Sequence, residues 1–201
     1  MLTALLDAIR GTGTSFGVIG ECSATIPATL LRTMLESQFR DMRIELCEGE
    51  ERSSIAFPSA LGLPQLNFRA GAGRVSLRSR QIFVSLREAG PGWLNGALEL
   101  EIWLEPVGGL GKPVTLTVCL GLSTEARGPV YDQVDVQCEC GDGLADPMLA
   151  TCVEAFFYWA YTREAVAGVL RAAIGQAVGD HAGILDVSVN GGRLAVWRYR
   201  P

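Results

Sequence analysis

The groups in this chain that could do covalent or acid–base chemistry are few and scattered. His181 is the single histidine, so any Ser-His-Asp or Cys-His mechanism would have to use it. It lies in Gly179-Asp180-His181-Ala182-Gly183, a helix-to-strand loop in which a solvated or helix-capping imidazole is the ordinary outcome. An enzymatic reading would rest on Asp180 and His181 and an apolar substrate. No Gly-x-Ser-x-Gly elbow is present. The stretch Pro106-Val-Gly-Gly-Leu-Gly-Lys112-Pro113 resembles a phosphate loop only superficially. Its leading position is Pro106, and Pro113 stands where a magnesium-holding Ser or Thr belongs. A hairpin loop is the reading it supports, and no dinucleotide fingerprint occurs elsewhere.

Metal chemistry finds no better footing. The six cysteines are Cys22, Cys47, Cys119, Cys138, Cys140 and Cys152. Cys138-x-Cys140 puts two thiols on one face of a strand, and that face is the apolar one. No Cys-x-x-Cys or histidine partner completes a zinc set. Glu48, Glu50 and Glu51 cluster in one loop, and Asp132, Asp135 and Glu139 lie along one strand. Neither set has the spacing of a calcium loop. All six read as solvated polar surface. No catalytic set, metal or cofactor is predicted.

The most unusual local feature is Phe156-Phe157-Tyr158-Trp159, with Tyr161 beyond it. Successive helical residues point about 100° apart, so four aromatics in a row surround more than one helix face. Part of this group must pack on a sheet. The remainder must meet another element, a ligand or a partner, because large exposed apolar patches are uncommon on monomers.

The bulk properties narrow the class. At 201 residues with 48% apolar and 19% charged side chains, the chain can bury the core of one domain, spanning 1–201. A net charge of −5 without a Lys/Arg run disfavours nucleic acid and anionic membranes as partners. Arg69, Arg74, Arg78 and Arg80 form the only basic cluster and read as a solvated strand face. Residues 1–10 read as an amphipathic helix with Leu2, Leu5, Leu6 and Ile9 on one face, not as a signal peptide. No stretch suits a spanning helix. The expected location is cytoplasmic, or exported if a leader was trimmed.

Strict alternation dominates the middle of the chain. Leu98, Leu100, Ile102 and Leu104 form one run, Val114 to Leu122 a second, and Val134, Val136, Cys138 and Cys140 a third. Each run has one wet and one apolar face. Earlier strands are expected around Ile44, Ile55, Leu66, Val75 and Ile82. Parity changes between Leu77 and Ile82, which predicts a bulge or tight turn at Ser79–Gln81. A strand is expected from Phe16 to about Cys22, then a helix opening at Thr25-Ile26-Pro27 with Leu30, Leu31, Met34, Leu35 and Phe39 on one face. Asp146-Pro147 starts a second helix. Carried straight to 178 it would measure about 47 Å, so a break is expected near Tyr161-Thr162-Arg163. Asn190-Gly191-Gly192 between alternating runs predicts a hairpin. The fold class is α+β: a strongly curved antiparallel sheet wrapped around two amphipathic helices, with a closing C-terminal hairpin.

That order resembles the small bacterial single-domain members of the tubular lipid-binding (TULIP) superfamily. The resemblance is carried by the opening strand and Ile26-to-Leu35 helix, the meander from about Ile44 to Cys140, the helix from Pro147, and the Leu185-to-Val196 hairpin. It implies a space between helices and sheet that takes an acyl chain or similar apolar ligand, bound without catalysis. The family has no shared catalytic residues to carry over. From the helix faces, the residues expected to line such a space are Leu30, Met34, Phe156, Trp159 and Val166. The alternative is an interaction or assembly module that docks a protein partner, or a second copy, through the aromatic helix patch.

Overall fold

A computed structural model describes residues 20–39, 42–46, 53–56, 66–68, 75–107, 112–125, 128–140, 146–179 and 184–199. The strands are β1 (Gly20–Pro27), β2 (Arg43–Leu46), β3 (Ser53–Ala56), β4 (Leu66–Phe68), β5 (Val75–Arg87), β6 (Ala97–Pro106), β7 (Val114–Glu125), β8 (Gly128–Cys140), β9 (Ile184–Asn190) and β10 (Arg193–Tyr199). The helices are α1 (Ala28–Phe39), α2 (Asp146–Tyr158) and α3 (Ala160–Val178). The architecture is α+β, with a strongly curved antiparallel sheet, helices packed on it and a C-terminal hairpin.

The main sheet has the order β4-β3-β2-β5-β6-β7-β8. Alternation explains its two faces. Leu98, Leu100, Ile102, Leu116, Val118 and Leu120 are fully buried, while Glu99, Glu101, Thr115 and Thr117 between them are partly exposed. The parity change in β5 is a bulge: Ser79 pairs with Leu104 and Gln81 with Trp103, leaving Arg80 extra. The strand continues through it, which keeps Leu77 and Ile82 on the same buried face.

The hairpin does not close this main sheet. β9 and β10 join β1 in a separate three-stranded sheet of order β1-β10-β9. Gly191 and Gly192 form its two-residue turn, with φ of 59° and 66°. Both sheets and all three helices feed one continuous core. Burial of that shared apolar surface, at about 25 cal/mol per Å², is what holds the layers together.

Two boundaries differ from the sequence expectations. β1 runs on to Pro27, five residues past Cys22, and α1 begins only at Ala28. Proline biases the residue before it towards extended backbone, and pairing of Ile26 with Leu194 uses that bias to seal Ile26 in the core. The second long helix breaks at Trp159, before Tyr161, because contacts to β8 described below fix the end of α2. The expected helix at 1–10, the strand start at Phe16, and the loops holding Glu48, Glu50, Glu51, Asp180 and His181 lie outside the described residues. So do Cys47, Arg69 and Arg74, and residues 108–111 of the glycine-rich 106–113 stretch.

Candidate functional site: the aromatic junction of α2 and α3

Trp159 separates the two helices with extended backbone, φ −62° and ψ 132°. Its N–H still donates to Ala155 O (3.1 Å) and Phe156 O (3.2 Å), and its own carbonyl accepts from Arg163 N–H (2.9 Å). The chain therefore leaves the helix for one residue and re-enters it. Around this step the aromatic run divides. Phe156 and Phe157 are buried, with ring centroids 5.7 Å apart and nearly perpendicular, and Phe157 also meets Phe39 of α1 at 6.0 Å. Trp159 is half-buried and lies edge-on to Tyr161 at 5.1 Å. Tyr158 and Tyr161 remain 50% and 58% exposed.

The junction is fastened to β8, an edge strand of the main sheet. Tyr131 Oη donates to Phe157 O at 2.5 Å. Val134 N–H donates to Tyr158 Oη at 3.1 Å, and Arg163 Nε to Tyr131 O at 2.8 Å. Arg163 also pairs with Glu125 at 2.5 Å. Edge strands expose unpaired backbone groups, and here aromatic and guanidinium side chains occupy two of them. Burial pushes the Tyr131 phenol well above its ordinary pKa, with nearby Arg163 opposing the shift. It is a neutral donor over the whole physiological range. Just inside the same turn, Thr162 is fully buried and its hydroxyl has no partner among the described residues.

The five residues expected to line an apolar space fall into two groups. Phe156 and Val166 are each 1% exposed and belong to the core. Leu30, Met34 and Trp159 are half-buried and pack against its rim. Three cavities formed by described residues hold about 180, 230 and 240 Å³. They lie at Arg32 and Arg80, beside Trp93, and at Arg78 and Glu105, and none of the five is among their lining residues.

The polar candidates remain apart. Asp132, Asp135 and Glu139 are exposed. Arg78 and Arg80 both pair with Glu105, at 3.4 and 3.7 Å, as a solvated face should. Cys138 and Cys152 pack against the core. No group of three or more metal-ligating side chains occurs among the described residues. No helix there is long and apolar enough to cross a membrane.

Sequence reasoning missed the Tyr131 clamp and one polar cluster on the outer sheet face. In that cluster Arg87 donates to Cys119 Sγ (3.4 Å) and pairs with Glu99 (3.2 Å), which also accepts from Ser85 Oγ (3.1 Å). Burial pushes the Cys119 thiol up, against the hydrogen bond from Arg87, so the group is a poor nucleophile. Tyr131 and Val134 are both inward on β8 yet differ in parity, so the strand bulges between them, and the alternation from Val134 onward gave no sign of it. No protein-family model, curated protein or solved structure matches this chain.

Proposed function

We propose that the protein is an interaction module whose docking element is the aromatic junction, and that its partner there is a second copy of the chain. The observation that carries this reading is the pair Tyr158 and Tyr161, half or more exposed on backbone that β8 holds rigid. Tyr and Trp supply large contact area at low entropy cost and dominate interface energetics. The charges beside the rings cancel locally: Arg163 pairs with Glu125, and Arg171 with Glu164. A two-fold contact sets a patch against itself, and ion pairing within each chain limits like-charge repulsion across such a contact.

The test is sedimentation equilibrium with native mass spectrometry on the purified chain and on Tyr161→Ser. A dimer weakened at least tenfold by Tyr161→Ser is the expected result. A monomer at every concentration, or a dimer indifferent to the substitution, overturns the proposal. A stoichiometric adduct of lipid mass on a monomer would overturn it in favour of apolar-ligand carriage, the function implied by the tubular lipid-binding resemblance.

A further inference from the structure

The connection between β5 and β6 carries an indole outside the main core. Pro91-Gly92 turns the chain, with Gly92 at φ 90°. Trp93 then bonds Gly90 through both its N–H (3.0 Å) and its carbonyl (3.1 Å), and the same carbonyl accepts from Gly96 N–H at 3.2 Å. Asn95 is held as firmly, its carbonyl accepting from Val189 N–H (2.9 Å) and its Nδ2 donating to Asp186 (3.1 Å). The Trp93 ring lies directly on β7. A Cβ added to Gly121 would stand 2.5 Å from Trp93 Cε3. Gly121 follows buried Leu120, so it faces the opposite, outer side of the sheet.

The neighbouring strand brings polar groups to this indole. Between the pairs Gly121–Gln133 and Leu122–Tyr131, β8 has one extra residue, Asp132. Asp132 and Gln133 are both exposed, and neither side chain has a hydrogen-bond partner among the described residues. With Ser123, Asn95 and the 68% exposed Leu94, they line a cavity of about 230 Å³ beside Trp93. At roughly 30 Å³ per water this is about eight waters, on the order of one sugar ring.

We propose that this cavity is a binding site for one pyranose residue of a saccharide. A pyranose has an apolar C–H face and a rim of hydroxyls that donate and accept. A rigid indole suits the first. The carboxylate of Asp132, the amide of Gln133 and the hydroxyl of Ser123 suit the second, since a directional polar rim around an apolar platform fixes orientation. Trp103 offers a contrast within the molecule. It is 43% exposed, but it meets Phe83 edge-to-face at 5.5 Å and its Nε1 donates to Glu101.

The indole N–H resonances of the four tryptophans, Trp93, Trp103, Trp159 and Trp197, give the test. ¹H–¹⁵N spectra of the full chain are recorded while methyl β-glucoside, methyl α-mannoside or N-acetylglucosamine is added, with choline as a cationic control. The expected result is a saturable shift of Trp93 with at least one sugar, while Trp103 stays still. Asp132→Ala and Gln133→Ala, at exposed positions that leave the fold intact, should each weaken that binding several-fold. Absence of a Trp93 shift with all three sugars overturns the proposal. So does an equal shift at Trp103, or a response to choline alone. The outcome is separable from self-association, because Tyr161→Ser should leave sugar binding unchanged.

Discussion

The buried hydroxyl of Tyr131 donates to the backbone carbonyl of Phe157 at 2.5 Å, and this bond ties the edge strand β8 to the end of α2. Losing it in Tyr131→Phe leaves a carbonyl at a helix terminus without its partner. The expected cost is about 1–3 kcal/mol, read from urea unfolding. The phenol is also expected to make stability pH-dependent. Its pKa is raised by burial in the native state, whereas in the unfolded chain it ionises near pH 10. Below about pH 10 both states hold the proton and nothing changes. Above it the native state binds more protons, so stability falls as pH rises. Wild type should lose more stability than Tyr131→Phe between about pH 8 and about pH 11. Equal losses would show that the phenol ionises without unfolding.

Two glycines should respond to alanine in opposite directions. At Gly121 a Cβ meets the Trp93 ring at 2.5 Å, so the indole must move, and a loss of about 1–3 kcal/mol is expected. At Gly168, inside α3, a Cβ meets nothing within 4 Å. Replacing glycine in a helix interior should there gain about 1 kcal/mol. Thermal unfolding of the two variants decides the matter, and tryptophan fluorescence should change only in Gly121→Ala.

Much of this architecture was legible because burial and strand parity are the same information. Leu98 to Leu104 and Val114 to Leu122 could have been inward in only one register, and the change between Leu77 and Ile82 required the bulge that leaves Arg80 extra. What stayed hidden depends on distant pairing. Nothing local to Gly20–Pro27 says that it will pair with Arg193–Tyr199 and leave the main sheet. The helix break at Trp159 is set by Tyr131 and Val134, more than twenty residues away in the chain. The aromatic run drew notice as a sequence, but its division into core rings and exposed rings follows from that clamp. Trp93 gave no periodic signal, since it sits in a turn.

Thiol chemistry should separate the cysteines by environment. Cys22 is exposed, whereas Cys119 is 2% exposed under the Arg87 guanidinium, with its thiol pushed up by burial. Alkylation of Cys119 then waits on local opening and is expected to run on the order of tenfold slower than that of Cys22, or more. Peptide-resolved iodoacetamide kinetics on the native chain measure both rates. Comparable rates would mean that Arg87 and Glu99 do not shield the sulfur in solution.

The division of Leu30, Met34, Phe156, Trp159 and Val166 into core and rim has an energetic consequence. Val166 is 1% exposed and belongs to the buried cluster, so Val166→Ala removes two methylene equivalents from a packed interior. Transfer and cavity effects together predict a loss of about 2 kcal/mol. Leu30 loses a larger side chain on truncation, but it is only half-buried at the rim. The surroundings and solvent can fill the gap, and a loss under about 1.5 kcal/mol is expected for Leu30→Ala. Chemical denaturation of the two variants gives the comparison. If Val166 lined an apolar space that opens in solution, its truncation would cost less than that of Leu30, and the order would reverse. A larger loss at Val166 means that these side chains fill the interior, so that docking at the aromatic junction falls to the exposed Tyr158 and Tyr161 and not to a lined space.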